Sequence, residues 1–266
     1  MNSSEFLPAD LEQLPALQPS DWGDLIPRFR YFIESDVCSP VKIEENGQMV
    51  AIGTSVFHSD TAWLACIVVH PDHRNKGLGN TVTRSLIDDI DRNRYETIYL
   101  DATEYGYPVY KKLGFEVETQ YAHLRLETGP VALPISPNII PYEDKFNAQV
   151  LALDRMVSGE DRSAILKDFL SQMKVYLKEN QVHGFYIPGW GDGPIIAHNN
   201  EAGLELMKLR IQEYDSAVLP IANLAAMEFL NEHRFEIRKH SRRMLLGKQR
   251  DWKPELLFNR ISGQLG

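Results

Sequence analysis

A nearly continuous apolar run, Thr61-Ala-Trp-Leu-Ala-Cys-Ile-Val-Val69, leads into a loop carrying two glycines, Arg74-Asn-Lys-Gly77-Leu-Gly79, and then into a helical pattern. A run apolar at successive positions suits a strand covered on both faces, in the middle of a sheet. Leu78, Val82, Leu86, Ile87 and Ile90 recur at helical spacing and form one stripe. Thr97 to Leu100 reads as the next strand. A helix joining two such strands makes them parallel neighbours, so the chain is predicted to be α/β with a mixed sheet.

The surrounding segments fit that layer. Ser20 is an N-cap type residue ahead of Asp21-Trp22-Gly23-Asp24 and the apolar positions Leu25, Ile26, Phe29, Phe32 and Ile33, which predict a helix. Val41 to Glu45 and Gln48 to Phe57 flank Asn46-Gly47, a dipeptide that tolerates positive φ at both central turn positions and predicts a hairpin. Pro108 to Leu113 reads as a short helix, and Phe115 to Leu126 as a closing pair of strands. Thr128 to Pro141 holds four prolines and few charges. The boundary falls there, giving a first domain over 1–128, a linker over 129–141 and a second domain over 142–266. About two domains is also what 266 residues imply at ~150 residues per domain.

The second half reads as a repeat of the first. Helical stripes over Phe146 to Met156 and Ile165 to Leu177 precede Val182 to Ile187, Pro194 to Ala197, a helix from Glu201 to Ile211, and Ser216 to Leu219. Pro220 then opens a helix ending in Leu230-Asn-Glu-His-Arg-Phe235-Glu-Ile237, which parallels Tyr110-Lys-Lys-Leu-Gly-Phe115-Glu-Val117. The basic run Arg234, Arg238, Lys239, Arg242 and Arg243 reads as a solvated strand face, or as a lure for an acidic partner.

Charge and cysteine content narrow the partners. A net charge of −9 repels a phosphate backbone over most of the surface, so nucleic acid is not the expected partner. Cys38 and Cys66 form no Cys-x-x-Cys pair, which suggests neither a disulfide framework nor a metal site and fits a reducing cytoplasm. The N-terminus lacks the pattern of a signal peptide, and no segment approaches the ~18 apolar residues that read as a membrane span.

The loop carries the chemistry. At a helix N-terminus several backbone N–H groups lack an internal partner and the helix dipole is positive, so a diphosphate is stabilised there. Gly77 and Gly79 let the backbone approach closely, and Arg74 and Lys76 would add charge at the rim. A pair of glycines also suits a plain strand-to-helix turn. The stretch is neither a Walker loop nor a dinucleotide fingerprint, since no Gly-Lys-Ser/Thr follows and the third glycine is missing. Arg74-Asn-Lys-Gly77-Leu-Gly79 resembles, at every defined position, the Arg/Gln-x-x-Gly-x-Gly/Ala motif of the GNAT superfamily of acyl-CoA N-acyltransferases. Downstream, Leu100-Asp-Ala-Thr103 and Gly106-Tyr-Pro-Val-Tyr110-Lys-Lys-Leu-Gly114-Phe115 match the family's Tyr-x-x-x-Gly-Phe signature. The resemblance covers Asp21 to about Leu126 and implies two tandem GNAT-like domains. The second is degenerate: it lacks the paired glycines around Gly193 to Glu201, and Leu230 stands where Tyr110 would.

That resemblance implies an N-acetyltransferase moving acetyl from acetyl-CoA to a primary amine, without a metal. The alternative is a non-catalytic acyl-CoA sensor or interaction module. Cofactor contacts would come from Ile67, Val68 and Val69 through the main chain, from Arg74, Asn75, Lys76, Gly77, Leu78, Gly79 and Asn80 around the diphosphate, and from Thr103, which serves equally well as a turn residue. Tyr110 is the implied proton donor to the leaving thiolate. Asp101, at a strand end where ligands of open α/β sheets gather, is the leading base; capping of the following turn and a water relay stay open. His58, His70 and Asp72 are weaker candidates. Trp22, Phe29, Tyr31, Phe32 and Trp63 would line an acceptor pocket or, more simply, pack the core. The acceptor is a small amine, a protein N-terminus or a lysine, and a homodimer is compatible.

Overall fold

In a computed structural model that describes residues 3–20, 22–127, 129 and 132–265, the two halves interlock through one sheet. The first half runs β1 (Ser4–Glu5), α1 (Leu14–Leu17), α2 (Leu25–Glu34), β2 (Cys38–Glu45), β3 (Gln48–Phe57), β4 (Thr61–Val69), α3 (Leu78–Asp88), β5 (Thr97–Ala102), α4 (Tyr107–Lys112) and β6 (Glu116–Leu126). The second runs β7 (Ile139–Pro141), α5 (Asn147–Ser158), α6 (Ser163–Leu166), β8 (Lys174–Lys178), β9 (Gln181–Tyr186), β10 (Ile195–Ala197), α7 (Asn200–Arg210), β11 (Ser216–Pro220), α8 (Leu224–Glu232), β12 (Phe235–Gly247) and β13 (Leu257–Asn259).

Local chemistry explains the elements read correctly from sequence. Asn46 and Gly47 sit at φ 54° and 79°, the paired positive values that close the β2–β3 hairpin. Leu78, Val82 and Leu86 of α3 are buried against the sheet. Four expectations need correction. Asp24, not Ser20, caps α2, its carboxylate accepting from the Ile26 amide at 2.9 Å; Asp21 lies outside the described residues. Phe115 to Leu126 is one strand, β6, rather than a pair. Ile165 to Leu177 is not a helix: α6 gives way to a 3-10 stretch over Lys167–Gln172 and then to β8, where Val175 and Leu177 follow the two-residue period of a strand. Pro220 ends β11 opposite Tyr121, and α8 starts later, with the Asn223 side chain accepting from the Ala226 amide.

The sheet order β1-β2-β3-β4-β5-β12-β6-β11 shows how the halves are joined. β12, from the second half, lies between β5 and β6 and is antiparallel to both. β11, also from the second half, pairs with β6. Each half's strand after the crossover helix therefore lies beside the other half's last long strand. A separate five-stranded sheet, β13-β10-β9-β8-β7, completes the second half. One core layer mixes Phe29, Trp63, Tyr99 and Tyr121 with Val150, Phe185, Ile196 and Ile261, so burial of apolar surface also ties the halves together.

A charged cluster is enclosed in that layer, and it revises the reading of the basic run. Arg238 is exposed and pairs with Glu127, Arg242 is half-buried and pairs with Glu104, but Arg243 is 1% exposed. Its guanidinium lies over the rings of Tyr99, Trp252 and Trp63 at 4.2, 4.3 and 4.8 Å and pairs with Glu118 at 2.5 Å and Glu160 at 3.6 Å. Glu160 also accepts from Thr61 Oγ1 at 2.5 Å and Trp63 Nε1 at 3.0 Å. Burial alone would raise its proton affinity, but the charges of His58, Arg243 and Arg162 outweigh burial and hold it below the usual carboxylate range. A carboxylate lowered in the folded state stabilises above the unfolded value of ~4.3 and loses that contribution as pH falls below it. Glu160→Gln is thus expected to cost about 3 kcal/mol in urea unfolding at neutral pH, within the range for breaking a buried pair, with the gap to wild type narrowing on acidification.

Candidate active site

β4 and β5 run together only briefly. Their parallel register covers Thr61, Ala62 and Trp63 against Thr97, Ile98 and Tyr99 and then stops. On its other side β4 carries an irregularity: Ile52 faces Val68 and Thr54 faces Ala65, so Cys66 and Ile67 bulge opposite Gly53, with Cys66 at φ 48°. A bulge bends the strand that carries it. It accompanies the departure of Ile67-Val68-Val69 from β5, which leaves the main-chain groups of β4 on that side without a strand partner. The β4–β5 pair therefore opens into a wedge towards the C-terminal ends of its strands. Such ends are where ligands of open α/β sheets bind.

At the mouth of the wedge the chain turns into α3. Pro71–His73 forms a 3-10 turn, and His70 Nδ1 accepts from the Asp72 amide at 3.3 Å. Asn75 at φ 61° and Gly77 at φ 85° are both left-handed, and Gly77 is the N-cap of α3 with no side chain capping it. A residue with a Cβ would be strained at Gly77, although the space beside it is open. The amides of the first turn, through Asn80, have no intrahelical acceptor, and the helix dipole places positive potential on them. Arg74 and Lys76 are exposed beside them, with Arg74 Nε donating to Val69 O at 3.3 Å. The combination suits a diphosphate.

The equivalent features of the second half are filled by the chain itself. α7 is capped by Asn199, whose Oδ1 accepts from the Ala202 amide at 3.0 Å. The gap between β10 and β11 holds β13: Ile195 and Ile196 pair with Asn259 and Leu257, the Val218 amide donates to Asn259 Oδ1 at 2.8 Å, and the Arg260 amide donates to Val218 O at 2.9 Å. Gly203 of α7 makes room for Phe258, since a Cβ there would stand 2.2 Å from the ring. Leu230 is wholly buried where Tyr110 has its counterpart.

Tyr110 lies on α4, 9% exposed, with its ring against Gly106 and edge-on to Phe115 at 6.1 Å. Burial, and secondly the charge of Asp101, push its phenol above the ordinary value, so it stays protonated at neutral pH. Asp101 Oδ2 accepts from Ser241 Oγ at 2.9 Å and from Arg260, while Oδ1 is enclosed without a partner. Thr103 holds the turn into α4: its Oγ1 accepts from the Gly106 amide at 3.3 Å and its carbonyl from the Tyr107 amide at 2.9 Å. Sequence reading missed Ser241, Arg260 and His123, whose Nε2 is 2.8 Å from Ser241 Oγ. Only the position of Ser241 on the basic strand hinted at them.

Other candidates stand elsewhere. His58 is 3% exposed, its proton affinity lowered by burial, and it lies among the charges of Glu160, Arg162 and Asp154. Asp72 is exposed on its turn. Phe29, Phe32 and Trp63 are core residues, Trp22 packs partly buried against that core, and the Tyr31 phenol donates to Asp168 Oδ2 at 3.3 Å. Among the described residues no group of three or more His, Cys, Asp or Glu is placed to hold a metal ion, and no helix is long and apolar enough to cross a membrane.

Comparison with known proteins agrees with this geometry. A model of the acetyltransferase (GNAT) family matches residues 5–115, and a model of an acetyltransferase (GNAT) domain matches residues 150–259. The chain is similar to the [ribosomal protein bS18]-alanine N-acetyltransferase of Escherichia coli strain K12, 30% identical over 81 residues, covering 29% of this chain and 55% of that protein. It thus spans about half the length of the curated relatives it matches. The fold is shared with a crystal structure of a proposed acetyltransferase from Pyrococcus horikoshii, at a TM-score of 0.83 and 21% identity over 99% of this chain and 95% of that one. It is shared also with a GCN5-related N-acetyltransferase from Anabaena variabilis, at a TM-score of 0.61 and 12% identity over 92% and 72%. With an open wedge and uncapped loop in one half and a filled counterpart in the other, the chain belongs to the acetyltransferase (GNAT) family, as two such units in tandem.

Proposed function

We propose that the protein is a cytoplasmic N-acetyltransferase that moves the acetyl group of acetyl-CoA directly to a primary amine, using the first half as its catalytic unit. The observation that carries this reading is the β4–β5 wedge, with the uncapped N-terminus of α3 at its mouth, together with a buried Tyr110 phenol that feels the charge of Asp101. Amides of Gly77 to Asn80, with Arg74 and Lys76, would hold the diphosphate. Main-chain groups of Ile67 to Val69, unpaired on the β5 side, would bind the pantetheine amides in strand fashion and direct an N–H at the thioester oxygen, where charge develops. Thr103, on the turn after β5, lies within the same loop region.

In the reaction the neutral amine attacks the thioester carbon, the C–N bond forms and the C–S bond breaks. Tyr110 gives its phenolic proton to the departing thiolate; its raised proton affinity keeps that proton available at neutral pH. The amine's own proton passes to Asp101 Oδ1 or to a water, and the phenolate is reprotonated from solvent. The E. coli relative is named for action on a protein alanine, which supports including a peptide N-terminus among the acceptors to be assayed. An acyl-CoA sensor remains the competing reading, favoured by the half that carries no open wedge of its own.

Thiol release from acetyl-CoA should be measured over a polyamine, an aminoglycoside, a free amino acid and an alanine-initiated peptide, alongside calorimetry with coenzyme A. Coenzyme A binding with no turnover on any of them would favour the sensor. Tyr110→Phe should lower kcat by about 10²-fold or more, as for loss of a general acid, with acetyl-CoA affinity nearly unchanged. A wild-type kcat in that variant removes Tyr110 from the mechanism. Asp101→Asn should lower kcat/KM by about 10²-fold, as for loss of a general base, at a pH where the amine is neutral; an unchanged kcat/KM would assign the proton to water.

A further inference from the structure

Asp101 is held almost entirely by the other half of the chain. Its Oδ2 takes hydrogen bonds from Ser241 of β12 and from the guanidinium of Arg260, just past β13. Gly263 packs so closely that a Cβ there would stand 2.9 Å from the same oxygen. Arg260 is itself fixed: its Nε donates to Asp192 at 2.8 Å, its guanidinium lies 5.2 Å from the Tyr121 ring, and its amide is tied to Val218 of β11. Its side chain is 8% exposed. Behind Ser241 stands His123, pushed down to about 3 first by burial and then by the charge of Arg260. His123 is therefore neutral, and since Ser241 donates to Asp101, His123 Nε2 is the donor to Ser241.

An ion pair that served only to join the halves would gain by using both carboxylate oxygens, because a buried acceptor left without a donor is unfavourable. Here both donors converge on one oxygen and the other, Oδ1, is left enclosed and unpartnered. We infer that Arg260 is a positioning residue for the proposed transfer: with Ser241, it clamps Asp101 by Oδ2 so that Oδ1 is kept free to receive the amine's proton. The segment that fills the second half's wedge thereby completes the site of the first. This rests on the assignment of Asp101 as the base in the proposed function.

The test compares Arg260→Gln, Arg260→Lys, Asp101→Asn and the Asp101→Asn/Arg260→Gln double variant in the full chain, with the amine that gives the fastest thiol release in the panel above. Arg260→Gln is expected to lower kcat about ten-fold, the scale of loss from a misplaced catalytic group, leaving coenzyme A affinity by calorimetry within about two-fold. Arg260→Lys should recover most of that loss, and Arg260→Gln should have little further effect once Asp101 is Asn. If Arg260→Gln does not fold, Arg260→Lys and Arg260→Ala with added guanidinium carry the test, rescue of kcat by guanidinium being the expected result. Loss of activity in Asp101→Asn with an unchanged kcat in Arg260→Gln overturns the positioning role and leaves the base assignment standing. Additive losses in the double variant also overturn it, since they mark two independent effects. Unaltered kcat and pH profile in Asp101→Asn remove the base assignment itself, and this inference with it.

Discussion

β12 lies between β5 and β6, and most of what is distinctive in this protein depends on that placement. A strand contributed by residues more than a hundred positions away gives β5 its second hydrogen-bonded neighbour, in a register that sets Arg243 opposite Asp101 and Met244 opposite Leu100. It brings Ser241 to the Asp101 carboxylate and Arg243 into the ring-lined cluster with Glu118 and Glu160. β5 has β4 on its other side for only three residues, so without β12 the strand that carries Asp101 would be held by little more than its apolar face. The wedge is stable because the side away from it is firmly paired.

The two halves carry the same plan with different outcomes at one place. In the first, two strands diverge and the following helix begins at a left-handed glycine with no side chain capping its first turn. In the second, β13 fills the divergence and an asparagine caps the helix. Local chemistry makes the distinction: Gly77 offers no side chain to the amides of α3, whereas Asn199 supplies an oxygen to those of α7.

The sequence disclosed what is decided locally. β4 was bounded to the residue because its apolar run is uninterrupted, and Asn46-Gly47 identified a hairpin because two successive positive φ values need such residues. The loop at Gly77 was visible for the same reason. Pairings over long separations were not visible. Nothing in Phe235 to Gly247 states that its neighbours are β5 and β6, and the basic residues on it looked solvated because the carboxylates that bury Arg243 come from β6 and from the loop after α5. Leu257–Asn259 is too short to announce itself as a strand, and Arg260 belongs to no motif, so the clamp on Asp101 was out of reach. Ile165 to Leu177 misled because its apolar positions satisfy a helical period by chance, while hydrogen bonding to β9 decides the outcome for its last residues.

The exchange of strands also governs how the chain must be assembled during synthesis. Translation delivers β1 to β6 well before β12, and in that interval β5 and β6 present bare edges to one another and to any other chain nearby. The nascent first half therefore cannot reach its final arrangement as an autonomous unit, however native-like its α3 loop; closure waits until residues as far as Gly247 have left the ribosome. A gene fragment ending in the proline-rich connection would encode a polypeptide with two open strand edges side by side, which makes coexpression of both pieces, rather than truncation, the natural way to divide this molecule.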